Sequence, residues 1–222
     1  MKQIRFSLDF ISPYAYLAFE QLPQALQGIS HSVVYEPVLF AGLLAQHGQL
    51  GPAEIAPKRI WTYRQVLWLA QQQGIDMQMP LAHPFNPLPL LRLALACGSG
   101  AAAQPLPSRY VCEQIFRHVW RGGADAASST RLAALTAQLS AHGLAQRDPA
   151  GSAVKTQLKN LSDTAAARGL FGVPSFEVDG QLFWGLDALP MLRAYCLGDA
   201  WFTEHSPWHQ AANTAMGAQR KT

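Results

Sequence analysis

The sequence predicts an α/β protein in which a large all-helical block interrupts a small sheet. Three observations carry that expectation. Strand-like patterning lies near the two ends of the 222 residues and is absent from about residue 40 to 168. The first strand-like run passes through a turn into an apolar repeat of three and four residues. Near the far end, Asp179-Gly180 separates two short apolar runs, the strongest short-range signal for a hairpin.

Taken in order, residues 4–10 read as the first strand, ending at Ser12-Pro13. Ser12 stands where an N-cap belongs, and Pro13 suits a first helical turn, where its missing N–H is not wanted. Tyr14, Leu17, Ala18, Leu22 and Leu26 continue at helical spacing, with Pro23 expected to kink or shorten the helix. Residues 32–38 read as a second strand, so 4–38 is a βαβ unit with a right-handed crossover. Helical stretches follow at 58–73, 87–97, 108–121, 129–142 and 152–168, separated by Gly- and Pro-rich punctuation. Trp61, Tyr63, Trp68 and Leu69 sit at helical spacings and are expected to face the core or a subunit contact. Strands at 174–178 and 181–184 make the hairpin, and Asp187 is expected to cap a last helix reaching Tyr195. This order, βαβ then helices then ββα, is that of a thioredoxin-like fold with a large all-helical insertion. It divides the chain into a discontinuous thioredoxin-like domain (1–39 and 169–200), a helical insertion domain (40–168) and an irregular C-terminal tail (201–222).

Composition narrows the function classes. The chain is 49% hydrophobic and 14% charged, against a usual charged fraction of about 25%, which excludes general disorder. Seventeen basic residues against fourteen acidic give +3 without a long basic run, so nucleic acid is not an expected partner. Apolar stretches are broken well short of the ~18 residues a membrane helix needs, so no membrane association is expected. No signal-peptide core follows Met1, which leads to a cytoplasmic expectation. Cys97, Cys112 and Cys196 are isolated and odd in number, which fits a reducing compartment and excludes a disulfide framework or a cysteine zinc site. They are expected to pack as small hydrophobes. Glu204, His205 and His209 in the tail read as a surface cluster, and no metal site is expected. Nucleotide-binding glycine motifs are absent.

In a thioredoxin-like fold the reactive group stands at the N-terminus of the first helix, where unpaired N–H groups and the helix dipole favour an anion. Redox versions need cysteines there, and this chain reads Ser12-Pro13-Tyr14-Ala15, so dithiol exchange is excluded. What remains is a hydroxyl aimed at an anion site, and the anion that suits it is a thiolate brought by a ligand. A thiol of pKa ~8.5 must fall about two units to ionise at neutral pH, a preference of ~2.7 kcal/mol. A hydrogen bond to a charged acceptor supplies roughly 1.5–3 kcal/mol, and a helix N-terminus about 0.3–1 kcal/mol, reaching ~2. The two together suffice. The ordinary alternative is that Ser12 is an N-cap and nothing more. Before the hairpin, Val173-Pro174 is a candidate cis bond that would expose backbone N–H and C=O to a peptide-like ligand; the alternative is a trans proline at a strand edge.

Three segments carry a resemblance: Asp9 to Ala18 (DFISPYAYLA), Gly169 to Phe176 (GLFGVPSF) and Phe183 to Leu189 (FWGLDAL). Together they resemble the 2-hydroxychromene-2-carboxylate isomerases, relatives of the kappa-class glutathione transferases and of DsbA proteins, over residues 3–197. The resemblance implies a glutathione-dependent cis–trans isomerase of aromatic catabolism, acting on a small aromatic 2-oxo acid or its hemiketal, with glutathione as cofactor. It implies that Ser12 activates the glutathione thiol, that Val173, next to Pro174, pairs its backbone with the cysteinyl part, and that Trp184, Gly185, Leu186 and Asp187 meet the γ-glutamyl end. Asp187 can accept from an α-ammonium, or simply cap a helix. The family has a polar residue at Leu186 and a basic one at Ala188, so one glutamyl contact is altered here. Gly48-Gln49-Leu50-Gly51-Pro52 resembles a family loop with Gln49 in place of Asn, which gives Gln49 a glutathione contact. Lys58 and Asn86 fall at matching positions and would orient the substrate carboxylate, unless Lys58 is a solvated helix charge and Asn86 a loop cap. Tyr14 would flank the thiolate and touch substrate, with Tyr16 packed. A homodimer is expected. Two other readings stay open: a kappa-like transferase that releases the conjugate, and a non-redox thioredoxin-like module that binds an extended peptide at the Val173-Pro174 edge.

Overall fold

The computed structural model describes residues 1–99, 105–203, 206–215 and 217. Its sheet has four strands in the order β2-β1-β3-β4. β1 (Lys2–Leu8) runs parallel to β2 (His31–Pro37), β3 (Ser175–Val178) lies antiparallel to β1, and β4 (Gln181–Trp184) completes the hairpin. The first strand ends two residues earlier than the sequence suggested. The Asp9 carboxylate accepts from the Ile11 and Phe40 N–H groups at 3.2 and 2.9 Å, which turns the chain out of the sheet at Asp9. At the hairpin, Asp179 and Gly180 take φ of 50° and 76°, as a tight turn between twisted strands demands.

Helix α1 (Pro13–Ala25) starts at the Ser12 cap and carries Pro23 in its last turn. A proline there cannot donate to the carbonyl four residues back, and that group, Phe19 O, instead accepts from Arg109 Nη1 at 3.3 Å. The insertion contributes α2 (Phe40–Gln46), α3 (Ala56–Gln72), α4 (Leu88–Ala96), α5 (Arg109–Trp120), α6 (Ser129–Ala141) and α7 (Ser152–Ala167). The sequence reading gave no separate helix at α2, which is short and has no side-chain cap. After the sheet come α8 (Leu189–Cys196) and α9 (Pro207–Ala211).

Asp187 does not cap α8: it lies inside a 3₁₀ turn, Leu186–Ala188, and α8 begins without a side-chain cap. The tail is not irregular throughout, because α9 is held by Trp208, whose ring stacks over Phe183 at 5.8 Å and whose Nε1 donates to Gln181 Oε1 at 3.3 Å. Glu204 and His205 lie outside the described residues.

One contiguous core runs through sheet, α1 and insertion. Its centre is aromatic: Phe116 of α5 meets Phe10, Tyr16 and Phe19 at ring distances of 4.8, 5.8 and 5.1 Å. Such pairs add ~0.5–1.5 kcal/mol each beyond area burial. Behind the sheet, the fully buried Glu36 of β2 pairs with Arg5 of β1 and with Arg168, which also reaches Glu177 of β3. Cys97 and Cys112 are buried, Cys196 is half-buried, and all three are free. Among the described residues no helix is long and apolar enough to cross a membrane.

Candidate functional site

Ser12 sits at the amino end of α1 in an extended conformation (φ −85°, ψ 115°). Its Oγ accepts from the Ala15 N–H at 3.2 Å, and its hydroxyl lies 3.4 Å from the Val173 carbonyl oxygen. The capping role is therefore real, and it leaves chemistry to spare. A hydroxyl has one proton and two lone pairs, so it can cap with oxygen while donating elsewhere. At 3.4 Å the contact with Val173 is long and weak, and a thiolate is a better acceptor. Ser12 is 6% exposed.

The Val173-Pro174 bond is cis. The Pro174 carbonyl accepts from Gly185 N–H at 2.9 Å, which ties the proline to the bend after β4. The Val173 N–H has no partner among the described residues, the arrangement that pairing with an extended ligand requires. Two glycines shape this corner. A Cβ at Gly172 would lie 2.6 Å from Trp184 Nε1, and one at Gly185 (φ +100°) would lie 2.4 Å from Asp187 Oδ1. Trp184 packs edge-on against Phe171 at 4.8 Å and is 54% exposed.

A groove of about 760 Å³ opens from this corner. Tyr14, Gln21 and Ala25 of α1 line it, with Gln65, Leu69 and Gln73 on one side and Leu189, Pro190 and Arg193 on the other. Val173, Pro174 and Trp184 to Asp187 close the end nearest Ser12. Tyr14 donates to Gln65 Oε1 at 2.6 Å, and burial, with Asp187 adding to it, pushes its phenol pKa up. Asp187 is exposed and has no hydrogen bond among the described residues. At the far end Arg193 donates through Nη1 to the carbonyls of Ala25 and Gln27, both at 2.8 Å, a favourable place for a cation at a helix C-terminus.

Of the residues singled out in the sequence, Tyr14, Val173, Pro174, Trp184, Gly185, Leu186 and Asp187 meet at this groove. Ser12 is not itself part of the groove wall; its hydroxyl lies 3.4 Å from the carbonyl of Val173, which is. Gln49, Lys58 and Asn86 are exposed and form no part of the groove wall. Lys58 stands in the first turn of α3. Asn86 Oδ1 accepts from Leu88 N–H at 3.1 Å, the loop-cap geometry. Tyr16 is packed, donating to Asp76 O at 2.6 Å and accepting from Arg121 Nε at 3.0 Å. Trp61 and Trp68 do not enter the core, at 66% and 57% exposed.

Sequence reasoning missed Gln21, Gln65 and Arg193 in the groove. A glutamine stripe at helical spacing was the signal available for the first two. It also missed the groups that fix the turn before Ser12. Trp120 Nε1 donates to Phe10 O at 3.0 Å and His83 Nε2 to Ile11 O at 2.8 Å. Full burial pushes the Asp9 carboxyl up to about 7, partly offset by the N–H groups it accepts from.

A profile of the DSBA-like thioredoxin domain matches residues 3–196. The chain belongs to the DsbA-like thioredoxin family. It is 29% identical over 209 residues to a 2-hydroxychromene-2-carboxylate isomerase from Sphingobium xenophagum, covering 88% of this chain and 98% of that protein. It is 24% identical over 207 residues to glutathione S-transferase kappa 2 from Caenorhabditis elegans, covering 87% and 91%. Among solved structures, a 2-hydroxychromene-2-carboxylate isomerase superposes with a TM-score of 0.74 at 22% identity, over 96% of this chain and all of that one. That likeness establishes the fold. This family member has serine at the head of α1, and none of its cysteines lines the groove among the described residues.

Proposed function

We propose that the protein is a glutathione-dependent isomerase of the 2-hydroxychromene-2-carboxylate type. The observation that carries the reading is the junction of three features. Ser12 caps the helix end with a hydroxyl proton free to be redirected, the Val173 N–H next to the cis proline has no partner, and a groove runs from there past the free Asp187 carboxylate. Glutathione has a thiol, a peptide backbone and an ammonium that match these in turn. The relatives named as isomerases and kappa transferases support the same assignment.

When bound, glutathione would supply a thiolate able to add reversibly to a conjugated carbon of the substrate, and it would be unchanged overall. Ser12 and the α1 N–H groups lower the cost of the thiolate, so Ser12 is an activator and the attacking atom is borrowed. By resemblance alone, Lys58 and Asn86 are proposed for the substrate carboxylate and Gln49 for a glutathione contact, although none of the three is part of the groove wall. The thioredoxin-like part, 1–39 with 169–200, carries the sulfur site, and the insertion 40–168 supplies a groove wall. A homodimer in a reducing, cytoplasmic setting belongs to the same proposal, with exposed Trp61 and Trp68 on α3 available for the second copy to cover. Sedimentation at micromolar concentration checks this, and a monomer mass counts against it.

Product mass tests the function. With glutathione and 2-hydroxychromene-2-carboxylate, the isomerase gives a product of unchanged mass whose formation stops when glutathione is withheld. A product heavier by one glutathione assigns the chain to the kappa-like transferases. No turnover, with glutathione bound no better than other extended peptides, leaves a binding module.

A further inference from the structure

The two peptide units that lead into Ser12 are each held at both ends. In the first, the Phe10 carbonyl accepts from Trp120 Nε1 at 3.0 Å while the Ile11 N–H donates to Asp9 Oδ1 at 3.2 Å. In the second, the Ile11 carbonyl accepts from His83 Nε2 at 2.8 Å while the Ser12 N–H donates to Asp9 O at 3.0 Å. The inner partners belong to the turn itself. The outer partners, Trp120 and His83, come from the helical insertion.

Fixing the plane of the Ile11–Ser12 peptide fixes where Ser12 Cα stands; φ then places Cβ and χ1 places Oγ, which the Ala15 N–H holds at 3.2 Å. His83 is built for this task. A carbonyl can only accept, so Nε2 carries the proton, and Nδ1 is left as an acceptor. Nδ1 lies 2.8 Å from the Tyr63 hydroxyl, which is also 2.7 Å from the His83 carbonyl oxygen. Edge contacts with Tyr63 and Phe85 and a tilted contact with Trp120 hold the ring, at 5.3, 6.0 and 5.6 Å. Burial pushes the imidazole pKa down, which favours the single-proton form this geometry uses.

We propose that His83 is a positioning residue for the thiolate site, clamping the Ile11–Ser12 peptide from the insertion so that the Ser12 hydroxyl and the α1 amino end converge on one sulfur. His83 touches neither sulfur nor substrate in this account; it acts through Ser12. The inference deepens the glutathione reading and rests on it for its catalytic consequence, though not for the clamp itself.

The test uses the full chain with His83→Gln, whose amide nitrogen can donate to Ile11 O, and His83→Phe, which cannot. Two readouts are taken. In the ligand-free protein, amide exchange at Ser12 and Ala15 is expected to quicken at least tenfold in H83F relative to buried amides of the sheet, and to stay within about twofold of wild type in H83Q. With glutathione bound, ultraviolet thiolate absorbance is expected to show the thiol pKa raised by about one unit in H83F and nearly restored in H83Q. If H83F leaves both readouts unchanged, or H83Q is as impaired as H83F, the clamp is wrong. Should the wild-type chain fail to ionise glutathione, the functional reading falls while the exchange data still decide the clamp. If H83F does not fold, Tyr63→Phe, which removes the hydroxyl partner of His83 Nδ1 and so loosens the ring, is expected to give a smaller shift in the same direction, and no shift would overturn the proposal.

Discussion

Two carboxylates flank the site and do opposite jobs. Asp9 is fully buried behind the Ser12 turn, and both its oxygens accept backbone N–H groups. Asp187 is exposed at the groove, without a hydrogen bond among the described residues, on a backbone bend that glycine alone fits. The first has spent its acceptors on building the turn. The second keeps its acceptors for a guest, and because it is still hydrated it can exchange water for an ammonium at little cost. A buried acid that shapes and an exposed acid that binds should separate cleanly under mutation and pH.

The largest expected effect belongs to Asp9. Its pKa is raised from 3.8 to about 7 by burial, so the folded state favours the protonated form. That contribution is fully present below about pH 4 and is lost as pH rises toward 7, by up to about 4 kcal/mol. Wild-type unfolding free energy, followed by urea titration, is expected to fall between pH 5 and pH 8 more steeply than that of Asp9→Asn, which has no charge to bury. The variant starts lower, by about 1–2 kcal/mol, because the amide nitrogen cannot accept the second N–H. Parallel pH profiles would remove Asp9 as a buried titrating acid.

Next comes Ser12→Ala. Loss of the charged hydrogen bond should raise the bound thiol pKa by about 1–2 units and lower turnover roughly 10- to 100-fold, and loss of the cap should lower stability by about 1 kcal/mol. Asp187→Asn should act on binding instead. Calorimetry is expected to show glutathione affinity down about three- to tenfold, the size of one exposed charge pair, with the bound thiol pKa unmoved. A shifted thiol pKa would mean the two ends are not separable. The smallest change is Gly172→Ala. Its methyl meets Trp184, a half-exposed ring that can swing aside, so stability should drop by under about 1 kcal/mol and glutathione affinity by a few-fold in the same calorimeter. Unchanged affinity would take Trp184 out of the binding wall.

Legibility in the sequence followed locality. Ser12 with Pro13 and the Asp179-Gly180 turn are short-range signals, and the elements they mark stand close to where they were read, whereas α2 and α9 were not read at all. The strand end at Asp9 was misplaced because the group that ends it, Phe40 N–H, arrives from 31 residues away. Asp187 was read as a helix cap because Asp is a preferred cap, but the bend anchored by Gly185 N–H on Pro174 O puts a 3₁₀ turn there first. Trp61 and Trp68 have core-like composition and helical spacing, yet spacing specifies a face without saying what covers it. Within the site, residues carried on the motifs around Ser12, Pro174 and Trp184 converge, whereas Gln49, Lys58 and Asn86 are exposed on the insertion and form no part of the groove wall. His83 and Trp120 were invisible because their role exists only through two backbone carbonyls brought to them by the fold.

The central claim is that the amino end of α1, with the Ser12 hydroxyl, ionises a guest thiol, and the most direct measurement is a pH titration of thiolate absorbance near 240 nm for glutathione bound to the wild-type protein. A bound thiol titrating about two units below the free value of ~8.5 is the result this account predicts. A bound thiol that titrates like free glutathione contradicts it.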